Sequence, residues 1–410
     1  MTTLAQRLLP AGGRRSSFNE SRVYLASHPF AFVLIRLIGK FGRSFRLPGI
    51  GTVVSNANLA RAVLLDPRFS KSGPGSAGEI ITQVMGPRAI LNQDGEEHLA
   101  VRRALQDLFA PAYVSGFVAA TAGPLAQAAA ARLSAGEEVD VVRLARCMTG
   151  AAVMRMLGSP PEEATEEGYL RMFARGERLI ARFPIGRRRV PADMLAAARD
   201  DFLSLTDGAA AGYRSSDGDS IIGRLRGLGF DWEDARGMVA VMILAGTETV
   251  STALPRMIAI LADHGSWPDL AASPAQLDAT IDEALRMIVP SPVMLRSANV
   301  EVELGGRRFR RGERVVLPTY NLARDVQHLP GDPERFDPGR PMPAGIRHMW
   351  FGHGAHFCLG YPLAKAELRT ALEALLAAAP DLEIVRRRAA RRVLFPHYAS
   401  LVVRRAGAGA

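Results

Sequence analysis

One cysteine stands in the stretch of this chain that is best suited to chemistry. Cys358 lies in the segment FGHGAHFCLG, directly before an apolar repeat that predicts a helix over residues 362–379. At the N-terminus of a helix, a thiol faces unpaired amides and the positive end of the helix dipole, and both stabilise the thiolate. Glycines at three positions allow the backbone to approach a bound group closely. They are Gly352, Gly354 and Gly360.

A thiolate at this position could serve as a nucleophile or as a metal ligand. As a nucleophile it would need a base, and His353 and His356 are close in sequence. As a lone cysteine ligand it suits a haem iron, because a zinc site usually needs several cysteines or histidines close together. The second cysteine, Cys147, lies in an apolar helical run and is predicted to be a core residue.

A second group of chemical residues lies inside the longest apolar stretch. Periodicity predicts one helix over about residues 231–263, apolar on all sides and therefore buried. Its middle reads AGTET, in which Ala245 and Gly246 leave room for a flat cofactor against the backbone. Thr249 carries a hydroxyl that can bond back to a carbonyl, and Glu248 is an acid that could supply protons. A helix-packing groove with a buried threonine would use the same residues.

Two charged pairs have helical spacing. Glu283 and Arg286 stand three residues apart, and His98 and Arg102 stand four apart, so each pair shares one helix face. Taken alone, such pairs are typical of a protein surface. Whether these pairs have a functional role depends on the other motifs in the sequence.

These segments together resemble the cytochrome P450 family. The family's haem-binding pattern, Phe-x-x-Gly-x-x-x-Cys-x-Gly, is matched by Phe351, Gly354, Cys358 and Gly360. AGTET is similar to the family's Ala/Gly-Gly-x-Asp/Glu-Thr, with Glu248 where aspartate is commoner. The likeness extends from about residue 45 to the end of the sequence and is greatest for the soluble bacterial members.

The resemblance implies haem b, with Cys358 as the axial ligand of its iron and dioxygen as co-substrate. Glu248 and Thr249 are expected to relay protons. Donors to the haem carboxylates are expected at His98, Arg102, Arg296 and His356. Further cofactor contacts are expected at Ala245, Gly246, Phe351, Gly352 and Gly360. A buried charge network of Glu283, Arg286 and Arg335 is expected to hold the cysteine segment.

The implied fold is mainly α with a small β region. It is a single domain over residues 1–410, shaped as a triangular prism, with haem between the long central helix and the cysteine-side helix. About the first 20 residues are expected to be flexible. Periodicity predicts a capped helix from Ser273 to Ile288, two helices over residues 162–217, strands over residues 293–317 and a terminal hairpin over residues 393–403.

The expected activity is hydroxylation, or another oxidation, of a hydrophobic small molecule in natural-product or secondary metabolism. A haem-binding or sensor protein without turnover is the alternative, and a cysteine hydrolase would be colourless. The basic run of Arg187, Arg188 and Arg189 lies where the family has its lid. The substrate pocket is expected to be lined by Ile90, Leu91, Val241, Leu244, Ala245, Val293, Met294, Leu295 and Phe395.

Charge and composition bear on partners. The chain carries a net charge of +10, and arginine and lysine total 51, of which 48 are arginine. Nucleic acid is not indicated, because the basic residues are scattered and no nucleic-acid-binding motif occurs. No flavin or iron–sulfur segment is fused, so electrons from NAD(P)H are expected through a separate ferredoxin and reductase. A basic docking face is expected at Arg103, Arg347, Lys365 and Arg369.

The remaining expectations concern assembly and location. Two cysteines exclude a disulfide framework, and 48% hydrophobic residues exclude disorder. No targeting segment or membrane anchor is evident, so a cytoplasmic monomer is predicted.

Overall fold

Helices make up most of this computed structural model, which describes residues 15–39, 44–74, 76–182, 191–215 and 218–407. The basic run at Arg187, Arg188 and Arg189 and the first 14 residues lie outside these ranges. The helices are α1 (Arg15–Ser27), α2 (Pro29–Gly39), α3 (Ala57–Leu65), α4 (Ala77–Met85), α5 (Gly95–Leu105), α6 (Pro111–Ser134), α7 (Val141–Met156), α8 (Glu166–Arg182), α9 (Ala192–Thr206), α10 (Ala209–Ser215), α11 (Ile221–Gly227), α12 (Trp232–His264), α13 (Trp267–Ala272), α14 (Leu277–Ile288), α15 (Thr319–Leu322) and α16 (Tyr361–Ala378).

The long helix α12 forms the centre of the molecule. Asp231 caps it by accepting a hydrogen bond of 2.8 Å from the Asp234 amide, and Gly265 ends it in the left-handed conformation. Its apolar residues pack against α7 on one side and against α1, α9 and α14 on others. The predicted buried helix over residues 231–263 is therefore confirmed.

Helices α6, α7 and α16 complete the main core. Asp140 caps α7 through its side chain, which accepts from the Val142 amide at 2.9 Å. Helix α6 packs against both α7 and α16. Helices α6 and α12 are long and apolar enough to cross a membrane by length and composition, but 72% of the apolar window of α12 is buried inside the protein, against 33% for α6.

In the part of the chain that the structure describes, three small sheets lie beside the helices. The five-stranded sheet has the order β1 (Phe45–Leu47), β2 (Gly51–Val53), β8 (Arg314–Leu317), β5 (Met294–Ala298) and β3 (Phe69–Ser70). A two-stranded sheet pairs β6 (Val302–Leu304) with β7 (Arg307–Phe309). The third has the order β4 (Val139–Asp140), β10 (Tyr398–Arg405) and β9 (Leu382–Ala389). The predicted mainly helical fold with a small β region is confirmed.

The terminal hairpin begins earlier in the chain than the predicted range of residues 393–403. Strand β9 spans Leu382–Ala389 and pairs with β10, and residues 390–397 only connect the two strands. Arg386 and Arg388 of β9 are exposed, so its apolar alternation is weak.

Three local predictions also differ from the structure. Helix α1 already begins at Arg15, and Glu20 within it is buried, so residues 15–20 are part of the fold. Ser273 makes no capping bond through its side chain, and a short 3₁₀ turn precedes α14 instead. The described parts of residues 162–217 (162–182 and 191–215) contain three α-helices, because the short α10 follows the predicted pair.

Candidate active site

The cysteine segment is a tight loop that needs its glycines. Gly352 and Gly354 have φ values of 77° and 70°, which L-residues rarely adopt. A Cβ on Gly354 would also lie 2.6 Å from the carbonyl oxygen of Leu64, so the loop packs directly on α3. The Cys358 amide donates to the Phe351 carbonyl at 3.0 Å. These contacts hold the thiol in place just before α16.

The environment of the thiol disfavours a free thiolate. Burial raises the pKa of Cys358, while the amide of Gly360 and the charges of Lys71 and Arg102 work in the opposite direction. Among the described residues, no histidine is hydrogen-bonded to the Sγ atom, so the base needed by a nucleophile is not in place. Coordination to a metal cation would offset the cost of burying the thiolate.

A cluster of cations surrounds one side of this loop. Arg296 on β5 is buried, and its guanidinium donates to the Leu295 carbonyl at 2.8 Å. Burial lowers the pKa of Arg296 to about 10 and, together with the charge of Arg296, lowers that of Lys71 to about 7. Arg102 on α5 lies in the same cluster, since its charge also acts on Lys71. Positive charge is therefore concentrated where little water can solvate it.

Two histidines and one carboxylate complete the cluster. The rings of His98 and His356 lie 4.2 Å apart, and the buried Nδ1 atom of His98 has no hydrogen-bond partner. Asp94 accepts bonds from His356 Nε2 at 2.9 Å and from the Ser72 hydroxyl at 2.7 Å. Although burial works against it, these bonds lower the pKa of Asp94 to about 2. Asp94 is thus the carboxylate that acts on Lys71 and Arg296 among the described residues.

One face of α12 is accessible at the middle of the helix, around Ala245 and Thr249, and we call this accessible face the opening. Ala245 is exposed although the helix around it is largely buried, and Thr249 one turn later is half-buried. The Thr249 hydroxyl donates to the Ala245 carbonyl at 3.0 Å, as its sequence position suggested. Gly246 faces α7 instead, because a Cβ there would lie 2.7 Å from Val153 Cγ2. Ala245 therefore borders the opening, whereas Gly246 allows close helix packing.

Glu248 is a buried acid beside this opening. Its side chain is 5% exposed, and its Oε1 atom has no hydrogen-bond partner. Burial and the negative charge of Glu177 raise the pKa of Glu248 to about 7, and the positive charge of Arg146 counteracts them. The carboxyl can therefore hold or release a proton near neutral pH.

The charge network below the loop contains a different arginine from the one predicted. Arg286 donates to Glu283 at 2.7 and 2.8 Å, and both side chains are buried. Arg335 is exposed and contributes its main-chain carbonyl, which accepts from Arg286 at 3.3 Å. Arg340 reaches Glu283 at 3.4 Å, because the carbonyls of Asp332 and Arg335 fix its guanidinium inside the turn. The prediction that the Arg335 side chain completes the charge network is wrong, and the Arg340 side chain completes it instead.

The expected pocket residues are only partly accessible. Ile90 and Val241 are buried, and Met294 lies beside the cysteine loop, with its Sδ atom 3.9 Å from the position of a Cβ on Gly352. Phe395 lies in the connection between β9 and β10, where its carbonyl accepts from His397. The half-buried members are Leu91, Leu244, Val293, Met294, Leu295 and Phe395.

Comparisons with known proteins agree with this geometry. A family model described as cytochrome P450 matches residues 266–378. Cytochrome P450-SU2 from Streptomyces griseolus is 30% identical over 343 residues, which are 81% of this chain and 81% of that protein. The chain belongs to the cytochrome P450 family. It is also 29% identical over 298 residues to erythromycin C-12 hydroxylase from Saccharopolyspora erythraea, which covers 71% of this P450 and 73% of that protein.

The fold is that of solved cytochromes P450. The structure of a mutant of P450 EryK in complex with erythromycin B superposes with a TM-score of 0.76 at 26% identity. The match covers 92% of this P450 and 97% of that chain. The protein is therefore a haem-thiolate monooxygenase that acts on a small molecule, with electrons from NAD(P)H delivered by redox partner proteins. The predictions of family, fold and enzyme class are confirmed.

The residues present fit haem b, the cofactor of cytochromes P450. Three buried or half-buried cations with a single carboxylate leave positive charge that the two haem carboxylates would balance. The unpartnered Nδ1 atom of His98 is a further free donor or acceptor in the same cluster. The exposed Ala245 provides a surface without bulky side chains.

Sequence reasoning missed two residues of this P450 site. Lys71 is one of only three lysines in the chain, and its rarity was the sole signal. Asp94 precedes a helix and looks like an N-cap, but its carboxylate accepts from Ser72 and His356 rather than from α5. Both act across the molecule, so neither could be found from local spacing.

Proposed function

We propose that this P450 hydroxylates a hydrophobic natural product that lies over Ala245. The observation that carries this proposal is the exposed Ala245 in the largely buried helix α12, preceded along the chain by the half-buried Leu244. A small apolar residue at an accessible position leaves room for a bulky aliphatic substrate. The erythromycin hydroxylase named above acts on a molecule of this class.

In this proposal the Cys358 thiolate would bind the haem iron. Haem, when bound, supplies the iron at which dioxygen is reduced and one oxygen atom is transferred to the substrate. The chain contributes the Gly360 amide and the charges of Lys71 and Arg102, all of which favour the thiolate. His98, Arg102, Arg296 and His356 would hold the haem carboxylates, with Lys71 as a fifth donor. Further contacts would come from Phe351, Gly352 and Gly360.

Glu248 and Thr249 form the proposed proton relay. A pKa of about 7 allows Glu248 to carry a proton at neutral pH and to give it up on demand. The Thr249 hydroxyl borders the opening and can accept a proton from one side while it donates to the other. A haem-binding or sensor protein without turnover would have no need for this acid–alcohol pair.

The substrate class is tested by spectroscopy of the purified holoenzyme. The reduced, carbon-monoxide-bound protein should show the absorption of a haem thiolate. Macrolides, terpenoids and fatty acids would then be screened for a shift of the haem spin state, followed by product analysis with ¹⁸O₂. Spin shifts without oxygen incorporation in any product would refute hydroxylation of those substrates.

A separate ferredoxin and its reductase are the proposed electron donors. Of the predicted docking residues, Lys365 pairs with Asp282 at 2.6 Å and Arg369 pairs with Asp278 at 2.5 Å. Arg103 lies 3.7 Å from Glu96, and Arg347 donates to a carbonyl. Arg103 and Arg347 are therefore the better candidates for binding an acidic partner, because the pair of Arg103 with Glu96 is longer and more exposed than those of Lys365 and Arg369, and Arg347 bonds to a carbonyl.

Charge reversal tests the docking face. Arg103→Glu and Arg347→Glu should raise the KM for ferredoxin severalfold, and the effect should fade at high salt. Arg311→Glu, at an exposed turn between β7 and β8, is the matched control. Unchanged ferredoxin kinetics in both variants would rule the face out.

We further propose a cytoplasmic monomer, which light scattering and cell fractionation would test.

A further inference from the structure

An ion pair lies directly outside the proposed proton donor. Arg146 on α7 donates to Glu177 on α8, and both residues act on the pKa of Glu248 with opposite sign. The side chains of Arg146 and Glu177 are 25% and 38% exposed, whereas Glu248 is 5% exposed. The pair thus reaches water, and Glu248 does not.

Gly176 brings α8 close to the acid. A Cβ at this position would lie 3.2 Å from Leu244 Cδ2 and 3.9 Å from Glu248 Oε1. The unpartnered oxygen of Glu248 therefore points towards α8, the helix that carries Glu177. Because Gly176 has no side chain, α8 can pack this closely against Leu244 and the Glu248 carboxyl.

A further polar side chain lies near the Arg146–Glu177 pair. His397, in the connection between β9 and β10, lies near the same pair, since Arg146 and Glu177 both influence its pKa. That pKa is lowered mainly by burial, and the Nδ1 atom bonds to the Phe395 carbonyl at 2.8 Å. His397 is thus a neutral neighbour, and Arg146 and Glu177 are the charges that act on Glu248 among the described residues.

We propose that the Arg146–Glu177 pair controls the protonation of Glu248 and so the proton supply of the P450. Glu177 holds Arg146 away from the acid, and Glu248 therefore keeps its proton at rest. When Arg146 turns to Glu248, the acid releases its proton into the site and becomes the carboxylate partner of the guanidinium. Water entering beside the half-exposed pair returns the proton. This inference rests on the proposed relay role of Glu248, and both Arg146 and Glu177 are positioning residues.

The sign of each effect follows from the charges. Glu177→Gln removes a negative charge and frees Arg146, so the pKa of Glu248 should fall. Arg146→Met removes the positive charge, so the pKa of Glu248 should rise. If protonated Glu248 is the donor, coupled turnover is lost as the pH rises through this pKa. The alkaline limb should therefore move to lower pH in Glu177→Gln and to higher pH in Arg146→Met, each by about half a pH unit or more.

Two measurements on the holoenzyme test the proposal. One is the pH profile of product formed per NADH consumed. The other is the infrared carbonyl band of the protonated Glu248 carboxyl, assigned by its loss in Glu248→Gln and titrated with pH. Glu167→Gln and Arg171→Met are matched controls, because these residues pair with each other on the exposed face of α8. Both controls should titrate like the wild type.

The pH profile of coupling tests the relay role of Glu248, and the infrared titration tests its control by the Arg146–Glu177 pair. Opposite shifts of the infrared titration in Glu177→Gln and Arg146→Met support the inference. Shifts in one direction, or shifts no larger than in the controls, overturn it. If Glu248→Gln leaves coupling intact, the relay role of Glu248 is wrong, whereas the infrared titration still decides whether the pair controls this carboxyl.

Discussion

Burial moves both chemical groups of this P450 away from their ionised forms. It raises the pKa of the Cys358 thiol and of the Glu248 carboxyl. For Cys358 the helix N-terminus does not compensate, and the structure favours a role in which a cation stabilises the thiolate. For Glu248 the same effect gives a proton donor that works near neutral pH. The sequence identified both residues but could not indicate the size of the desolvation.

Lys71 should contribute to holding haem. Its ammonium lies in the cluster with Arg102 and Arg296 and would add attraction for the haem carboxylates. Lys71→Met should therefore speed the transfer of haem to apomyoglobin by about tenfold, since a charged hydrogen bond contributes about 1.5 kcal/mol or more. Lys71→Arg keeps the charge and should stay close to the wild type. Equal transfer rates for Lys71→Met and the wild type would contradict this assignment.

Thr249 should matter for coupling rather than for binding. Thr249→Ala removes the hydroxyl beside the opening, so hydrogen peroxide should form at the expense of product, and product per NADH should fall severalfold. Substrate affinity, measured by the spin shift, should change little. Thr247→Ala is the control, because Thr247 is buried on another face and donates to the Ile243 carbonyl at 2.7 Å. Equal loss of coupling in both variants would point to a general effect on α12.

At the scale of elements, the sequence predicted helices well and their tertiary partners poorly. Periodicity placed α12 to within a residue or two, because an unbroken apolar helix leaves a strong signal. Gly246 was assigned to the cofactor, whereas its Cα faces Val153 on α7. Which side of a helix meets which neighbour depends on long-range packing, and residue spacing carries no information about it.

The loop after α15 contains two arginines whose burial could not be predicted from residue spacing. Arg335 and Arg340 are only five residues apart, but Arg340 is buried on Glu283 and Arg335 is exposed. Arg340→Met leaves part of a buried carboxylate unpaired and should lower the free energy of unfolding by about 3 kcal/mol. Arg335→Met should change it by less than about 0.5 kcal/mol. Urea unfolding followed by circular dichroism measures both, and the reverse order would reinstate Arg335 in the network.

At the scale of the whole molecule, the two ends of the sequence were the least predictable. About the first 20 residues are expected from the sequence to be flexible, whereas the structure has a mostly polar helix α1 from Arg15 onwards. Its place in the fold depends on Glu20, whose partner lies 236 residues away on α12. The apolar surface that defines the core is readable from local sequence, but a buried ion pair between distant segments is not.

The Glu20–Arg256 pair should therefore support the whole molecule. Arg256 is fully buried, donates through Nε to Glu20 at 2.9 Å and also bonds to the carbonyls of Ile288 and Pro396, so it joins α1, α12, α14 and the β9–β10 connection. Glu20→Gln leaves this guanidinium without a counter-charge in the core and should lower the free energy of unfolding by about 3–5 kcal/mol. Glu301→Gln removes one partner of an exposed pair with Arg308 and should cost less than about 1 kcal/mol. If both variants unfold at the same urea concentration, the Glu20–Arg256 pair does not support the fold.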